Sequence, residues 1–369
     1  MSDAKRVLVI GTGIGGAAAA AALRRAGLAV HAIDVRPDIP TTGTGICLLH
    51  NAVRALASLG MAEDCLALGF KFEVVRHFDS SGKALGSNPA PPGCGMRRTD
   101  LAHVLESHAV RAGANLEKGI TATSLKETGN GVQVQFSDGR EDSYDLVVAA
   151  DGAYSGVRRK LFGAEWDPRF AGQSGWRFSA PRPPEVDGFC LFRLPDGRSA
   201  GALPTSKDTC YFFFLENSAE HLRMPADRLD VLIRERLAAY TAPVIRQAVE
   251  QISGPEAVLF RPYDITLVPA PWHRGRVVLL GDAAHAPTPQ LTSGGGMAVE
   301  DAVVLAESLA APGTVEQALE RYSERRFSRV RRVYDASHQL CIYEQDPLNN
   351  KEKSMALLLE SYQFLGQPY

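Results

Sequence analysis

The sequence predicts an α/β fold that is interrupted by an antiparallel sheet and closed by helices. Three observations carry this. Near the N-terminus an apolar run, VLVI, leads through GTGIGG into an alanine-rich helical stretch. In the middle, short β-rich runs such as WRFS, FCLFRL and CYFFFLE are separated by Pro, Gly and Asp. A further buried-strand run, VVLL, then returns ahead of GDAAHAPTPQLTSGGGMAVEDA and a long amphipathic stretch. Strands alternating with helices read as a parallel sheet, and strands following strands as an antiparallel one.

The 369 residues are too many for one small core and suggest two or three packed units. A composition of 45% apolar and 22% charged residues fits an ordinary soluble globular protein. A net charge of -2 supplies no basic field for nucleic acid or an anionic membrane. Cys47, Cys65, Cys94, Cys190, Cys210 and Cys341 form no CxxC pair. That argues against a zinc site or a disulfide framework, and for a reducing, cytoplasmic setting. The uncharged stretch 7–23 follows Lys5 and Arg6, as a leader would. Its glycines and small residues instead fit a strand, a turn and a helix.

Taken in order, residues 7–10 read as a buried strand, 11–16 as a turn, and 17–26 as a helix ended by Gly27. Residues 30–35 form the next strand, completing a βαβ unit with a parallel pair. A helix over 51–59 stops at Gly60. NPAPPGCG, at 88–95, reads as a loop, and 99–112 as a helix with Asp100 in its first turn. Residues 132–136 alternate as a hairpin strand does, Asp138-Gly139 is the turn, and 145–150 the returning strand.

The β-rich stretch spans 172–216. Its alternation puts Tyr211 and Phe213 on one face and Phe212 and Phe214 on the other. One face is expected to line a flat aromatic pocket and the other to pack against helices. Residues 228–252 are helical with a break at Pro243, 277–280 are a strand, and 315–345 are one long helix or a helix pair. The expected units are therefore 1–170, a sheet unit over 171–270, a return over 271–312, and C-terminal helices over 313–369.

Gly11, Gly13 and Gly16 satisfy GxGxxG, with Ile14 and Gly15 between them. Glycines there permit a tight turn, close approach to a pyrophosphate, and helix-on-strand packing. The helix N-terminus offers unpaired N–H groups and a positive dipole end. Asp34 at the end of the second strand can accept both hydroxyls of a ribose. This is a dinucleotide site that by itself does not choose between NAD and FAD.

Two further segments join it. DLVVAADGAYSGVR ends a buried strand in Asp151-Gly152, followed by Ser155, Val157 and Arg158, and the third segment begins with Gly281-Asp282. In this order and spacing the three resemble the flavoprotein monooxygenases of the aromatic-hydroxylase type (group A, para-hydroxybenzoate hydroxylase-like). The resemblance extends from residue 7 to about residue 309. It implies a glutathione reductase-type, Rossmann-like FAD-binding fold with an inserted antiparallel-sheet substrate domain. It places Asp151 near the flavin and the nicotinamide path, although Asp151 is also suited to cap a helix. It puts Asp282 on the ribityl chain, Pro289 beside the flavin ring, and Arg98 on the FAD from a helix start. Gly294, Gly295, Gly296 and Met297 would open a helix aimed at the isoalloxazine. Thr292 and Ser293 stand where the family has Gly and Gln, and Gly296 where Asn is frequent. The backbone role survives these departures, and the hydrogen bonding at the flavin edge changes. His285 reads as a structural hydrogen-bonding histidine.

The resemblance also sets GTGICLLHN beside flavin and substrate. His50 is then a candidate substrate base or, equally, a residue at a helix start. Cys47 would pack as a small apolar group without redox chemistry. Cys47, Arg193, Tyr211, Phe213 and Pro289 make up the expected substrate pocket. Arg325, Arg326, Arg329, Arg331 and Arg332 read as a solvated face or as salt bridges to the sheet unit. The implied activity uses FAD, NADH or NADPH, and O₂. It hydroxylates a small electron-rich aromatic or N-heteroaromatic (phenol, hydroxypyridine or quinolone type) through a flavin C4a-hydroperoxide. An FAD-dependent dehydrogenase without oxygen transfer and a non-catalytic flavin-binding regulator are the alternatives. No metal, nucleic acid or membrane partner is expected, and the chain is expected to be a monomer or homodimer.

Overall fold

The computed structural model describes residues 4–39 and 44–369. Gly43, which opens GTGICLLHN, lies outside the described residues. The first half runs β1 (Arg6–Ile10), α1 (Ile14–Arg25), β2 (Ala29–Asp34), β3 (Gly45–Leu49), α2 (His50–Ser58), α3 (Ala62–Leu68), β4 (Phe70–Asp79), β5 (Ala84–Arg97), α4 (Arg98–Arg111), β6 (Asn115–Lys118), β7 (Ala122–Thr128), β8 (Gly131–Phe136), β9 (Glu141–Tyr144), β10 (Leu146–Ala149) and α5 (Gly156–Phe162). The second runs β11 (Arg169–Pro181), β12 (Phe189–Arg193), β13 (Ser199–Pro204), β14 (Thr209–Asn217), α6 (Leu229–Leu237), α7 (Pro243–Glu250), β15 (Val258–Leu267), β16 (His273–Arg274), β17 (Val277–Leu279), β18 (His285–Ala286), α8 (Gly294–Ala310), α9 (Val315–Gln345) and α10 (Pro347–Leu365).

β1 lies between β2 and β10, parallel to both, in a sheet ordered β16-β17-β10-β1-β2-β6. Its central strands, VLVI and LVVA, are buried throughout, as parallel strands covered on both faces require. A second sheet is ordered β18-β15-β11-β14-β13-β12-β4-β5-β3, and β7-β8-β9 form a third. The second sheet is mixed rather than wholly antiparallel, because β12 runs parallel to β4. These two strands come from distant stretches of chain, so no hairpin turn dictates their relative direction.

Three local expectations are corrected. The hairpin partner of β8 is β9, and the 145–150 run leaves for the parallel sheet. LVVA is apolar on both faces, which suits a covered central strand and not a half-exposed hairpin. NPAPPGCG is part of β5 and not a loop. Its Pro91 and Pro92 fall between the pairs Val74↔Pro89 and Phe72↔Gly93, where the register shifts, so their missing N–H groups interrupt no regular ladder. Helices α1 and α8 begin at Ile14 and Gly294, ahead of residues 17 and 297 where the sequence places them. The first helical turn has free N–H groups in any case, so glycines are tolerated there. Residues 315–345 are one helix, started by a capping box in which the Thr314 hydroxyl accepts from the Gln317 amide.

The alternation in β14 holds. Phe212 and Phe214 join Trp176, Phe178 and Phe192 in a core closed by Ile233 and Leu237 of α6 and Ile245 of α7. Burying each such side chain stabilises the fold by about 1.5–3 kcal/mol. Tyr211 and Phe213 face the other way, Tyr211 against Cys47 and Leu49 of β3 and Phe213 beside Phe189.

The contact between α1 and β1 is tight enough to test. A Cβ on Gly16 would sit 1.8 Å from the Gly11 carbonyl oxygen. Gly16→Ala is expected to lower the unfolding free energy by about 1–3 kcal/mol in urea titrations. An unchanged midpoint would refute this packing.

Candidate functional site: a cleft between the two large sheets

The glycines of GTGIGG divide into two roles. Gly11 has φ +94, and a Cβ there would meet the Ala150 carbonyl oxygen at 2.4 Å. Gly15 faces Leu280 and Ala298, and Gly16 faces Gly11. These three let α1 settle onto β1 and α8. A Cβ on Gly13, by contrast, would have no protein atom within 4 Å. Gly13 is the N-cap of α1, with no side-chain cap. The first-turn N–H groups and the positive helix end therefore open onto free space, as a phosphate cradle requires.

At the end of β2, Asp34 is 4% exposed. Its carboxylate accepts from the Thr12 amide at 2.8 Å and the Arg36 amide at 2.9 Å, and from Arg36 Nη2 at 2.9 Å. Burial pushes this carboxyl up, but the Arg36 guanidinium and the two amides outweigh it and hold the pKa at about 2. Lys118, opposite Asp34 in register, donates to the Thr12 hydroxyl at 2.7 Å and pairs with Glu106. Arg36, Glu106 and Lys118 did not stand out in the sequence. Only the pairing of β2 with β6 brings them together.

Two turns face each other across the sheet. Asp151 accepts from Ser155 Oγ at 2.5 Å and from the Val157 amide at 3.2 Å, so its carboxylate holds the entry to α5. Arg158, fully buried, donates to the Ala283 carbonyl at 3.2 Å and to the Ala153 carbonyl at 2.7 Å, joining the DG turn to the GD turn. In the GD turn Gly281 has φ +62, and its amide donates to Asp301 Oδ2 at 3.0 Å. His285 Nε2 lies 2.6 Å from the same oxygen, which makes it a structural residue. Arg326 donates to Asp301 at 2.7 Å and to Glu300 at 2.8 Å, and Arg329 to Glu300 at 2.8 Å.

The basic stretch therefore needs correcting. Arg326 and Arg329 are 0% and 6% exposed and pair with α8, while Arg325, Arg331 and Arg332 remain at the surface. Residues 326 and 329 lie one turn apart on the face that carries Tyr322, Val330 and Val333 inward. The counter-charges sit on a helix that the sequence pattern of α9 cannot reveal. Burial pushes the Asp301 carboxyl up, but His285 and Arg326 outweigh it and hold it below the ordinary range.

The remaining residues gather on the facing side of the mixed sheet. The Asp282 carboxylate is open to the cleft but crowded on its other sides. That crowding raises its pKa, against the pull of His285 and Arg98. Arg98 is crowded likewise, and its neighbour Arg177 lowers its pKa further. The Arg177 guanidinium meets the hydroxyls of Tyr211 and Tyr263 and lies 5.6 Å from the Tyr263 ring centre. Cys47 and Leu49 form one apolar wall with Phe72 and Leu203, flanked by Tyr211 and Tyr362 of α10. Burial pushes the Cys47 thiol up to about 12, so it packs as a neutral group. Thr292 has φ +48, a left-handed conformation that is strained for a β-branched side chain and that the family's Gly adopts freely. Gln290, next to Pro289, donates to Gln173 at 2.6 Å and to Glu344 at 2.9 Å.

Gly296 packs closely on Ala52 of α2, and Met297 is 1% exposed, so both are interior. Gly294 and Gly295 are partly exposed at the helix start. His50 turns its Nε2 toward Gly366 at the end of α10, and its Nδ1 is buried with no hydrogen-bond partner. Burial and Arg54 both lower its pKa. Tyr263, Gln290, Glu344 and Tyr362 carry no role in the sequence reading, and Arg177 is read there only as one of the β-rich residues, more core than substrate contact. The face of β11 carrying Arg177 could have been inferred from Tyr211 and Phe213 once their register was known. The others lie on distant elements with no local signal.

The family model of the FAD binding domain matches residues 4–337. The chain belongs to this family, that of the FAD-dependent aromatic hydroxylases. FAD is its cofactor. This chain is 32% identical over 351 residues to the aurachin C monooxygenase/isomerase of Stigmatella aurantiaca, covering 92% of this chain and 90% of the relative. It is 32% identical over 310 residues to the 2-heptyl-3-hydroxy-4(1H)-quinolone synthase of Pseudomonas aeruginosa, covering 81% and 79%. The solved structure of Klebsiella pneumoniae HpxO with FAD and uric acid superposes with a TM-score of 0.83 at 26% identity, covering 99% of this chain and 93% of that one. Among the described residues, no helix is long and apolar enough to cross a membrane.

The residues here fit FAD. The open N-cap at Gly13 suits the pyrophosphate, Asp34 a ribose, and Arg98 with Asp282 the polar chain between phosphate and ring. In such a hydroxylase, Asp34 also contributes stability. Its depressed pKa means that this contribution is present above pH 3.8 and lost as pH falls through about 2. Asp34→Asn should therefore cost about 2 kcal/mol at neutral pH, with the gap to wild type narrowing between these limits. Urea unfolding across pH checks it. A gap independent of pH would contradict the assignment.

Proposed function

We propose that the protein is an FAD-dependent, NAD(P)H-consuming monooxygenase that hydroxylates a small electron-rich aromatic or N-heteroaromatic ring. The observation that carries this reading is the apolar, aromatic wall of Cys47, Leu203, Tyr211 and Phe213, which lies beside the residues that fit FAD. The relatives support it: one is named a monooxygenase/isomerase, another a synthase of a 3-hydroxyquinolone, and HpxO is seen with uric acid, a planar N-heteroaromatic. We read the parallel sheet with the small β7-β8-β9 sheet as the glutathione reductase-type FAD unit, and the mixed sheet as the substrate unit.

When bound, FAD supplies the electron relay from the nicotinamide and the activation of O₂. The chain's own residues bind, orient and exclude water. Gly11, Gly13, Ile14, Gly15 and Gly16 present the start of α1 to the pyrophosphate, and Asp34 holds the ribose. Arg98 and Asp282 fix the polar chain, and Asp151 holds its turn open beside it. Pro289, Gly294 and Gly295 bring bare backbone to the ring edge, with Gly296 and Met297 packing the helix behind them. Tyr211 and Phe213, with ring centres 5.7 Å apart, offer a flat apolar surface on which a substrate ring can lie. Water is kept out by Cys47, Leu203 and Tyr362.

His50 is assigned to the start of α2 rather than to proton abstraction, because its ring lies against the end of α10. His50→Gln should retain turnover, whereas loss of a true general base costs on the order of 10²-fold or more. The direct test is NAD(P)H oxidation in air by FAD-loaded protein, against phenols, hydroxypyridines and quinolones, with mass detection of products. Substrate-stimulated oxidation with a gain of one oxygen atom is expected. Tightly bound FAD with no stimulated oxidation by any compound would overturn the reading.

A further inference from the structure

Activating a phenol-type ring needs a group that takes up a proton. His50 lies against the end of α10 and Cys47 packs as a neutral thiol, so neither serves. One carboxyl stands apart from the ion pairs of the cleft. Glu344 occupies the last turn of α9, and its Oε2 accepts from Gln290 Nε2 at 2.9 Å. The same nitrogen donates to Gln173 Oε1 at 2.6 Å, Gln173 Nε2 donates to Asn217 Oδ1 at 3.0 Å, and Asn217 Nδ2 donates to the Glu344 carbonyl at 3.3 Å. Three amides, from the Pro289 turn, β11 and β14, thus close a ring around one acid.

The contrast with the structural acids is chemical. Asp301 and Glu300 are met by the guanidinium groups of Arg326 and Arg329, which hold them charged. Among the described residues Glu344 has no ion-pair partner. Neutral amides fix where a carboxyl sits without fixing its charge, so it remains free to exchange a proton. Burial pushes its pKa up, against Gln290, Gln173 and Arg193. The titratable and charged groups that face it are Arg193 of β12, Tyr263 of β15, Tyr362 of α10 and Cys341 of its own helix. Burial drives both tyrosines and the thiol up and away from neutrality, and a guanidinium stays charged, so Glu344 is the member of this set that can change charge.

Its position suits a ligand. Gln290 follows Pro289, the residue read as lying beside the flavin ring. Tyr362 flanks the wall of Cys47 and Leu203, and Tyr263 shares Arg177 with Tyr211. Glu344 itself is only half-buried although crowded on its sides, and Gln290 Oε1 next to it is buried with no partner. A polar atom left so costs about 1–3 kcal/mol, which a donor on a bound ring relieves.

We propose that Glu344 is the acid–base residue that takes the acidic ring proton, O–H or N–H, of a bound aromatic. One bond to hydrogen breaks on the ligand and one forms on the carboxylate, while the electron pair stays on the ring oxygen or nitrogen. No oxidant enters this step. Its place in catalysis rests on the hydroxylase reading, under which the electron-rich ring then accepts oxygen.

The first measurement needs no nicotinamide. Infrared difference spectra of FAD-loaded protein are taken across the neutral pH range with and without phenol or 2-hydroxypyridine, for wild type and Glu344→Gln. FAD content and circular dichroism establish that the variant is folded. A carboxylic-acid band that titrates above the ordinary glutamate range, shifts when either compound is added and is missing from the variant is expected. A wild-type band that ignores both compounds would overturn the proposal. In turnover, Glu344→Gln should lower oxygen transfer on the order of 10²-fold at neutral pH, regain rate as rising pH ionises the substrate unaided, and leave flavin reduction by NADPH unchanged. Glu344→Asp should restore part of the rate. An equal loss at every pH would mark a merely structural role and overturn the proposal. A ligand-responsive band without oxygen transfer by wild type would sink the hydroxylase reading and leave Glu344 as the acid–base group.

Discussion

Asp301 is the point from which the cleft is built. It is a wholly buried carboxylate that accepts from the Gly281 amide, His285 and Arg326. The first bond fixes the GD turn, the second fixes the strand that leaves it, and the third fixes α9 behind them. Glu300 beside it accepts from Arg326 and Arg329 and faces Asn51 of α2 at 3.3 Å. Removing one member of such a buried set costs about 3–5 kcal/mol, whereas replacing a whole set by apolar groups is often neutral. Its contribution is therefore best read as geometry: it holds the Asp282 turn and the start of α8 in one arrangement.

From that anchor the remaining positions follow. Arg158 ties the DG turn to the GD turn, so the ends of β10 and β17 are held relative to each other. The small residues of α1 bring its N-terminus down onto β1 and against α8, leaving Gly13 as the open edge. The mixed sheet presents Tyr211 and Phe213 on its other face because Phe212 and Phe214 are drawn into the core with α6 and α7. Cofactor cleft and aromatic wall are thus two consequences of packing on the opposite sides of shared elements.

Much of this was legible in the sequence where the signal is local. The GTGIGG glycines, Asp34 at a strand end, the GD turn and the alternation in CYFFFLE all express constraints within a few residues. Legibility failed where the partner is remote. Arg326 and Arg329 look like surface residues until α8 supplies Glu300 and Asp301. Lys118, Glu344 and Tyr362 gain meaning only from β2–β6 pairing and from helices that follow the recognisable motifs. The prolines of β5 argued for a loop, because a register shift that accommodates them is a property of the paired strand.

The central claim is that Asp301 acts on the cofactor through the turn that carries Asp282. A double-mutant cycle of FAD affinity tests it most directly, using Asp301→Asn, Asp282→Asn and the pair in folded apoprotein, followed by flavin fluorescence. The account predicts strong non-additivity, with a coupling of about 1 kcal/mol or more, because a released turn no longer positions Asp282. Losses that add within about 0.5 kcal/mol would contradict it and leave the buried network as ordinary stabilisation of the fold.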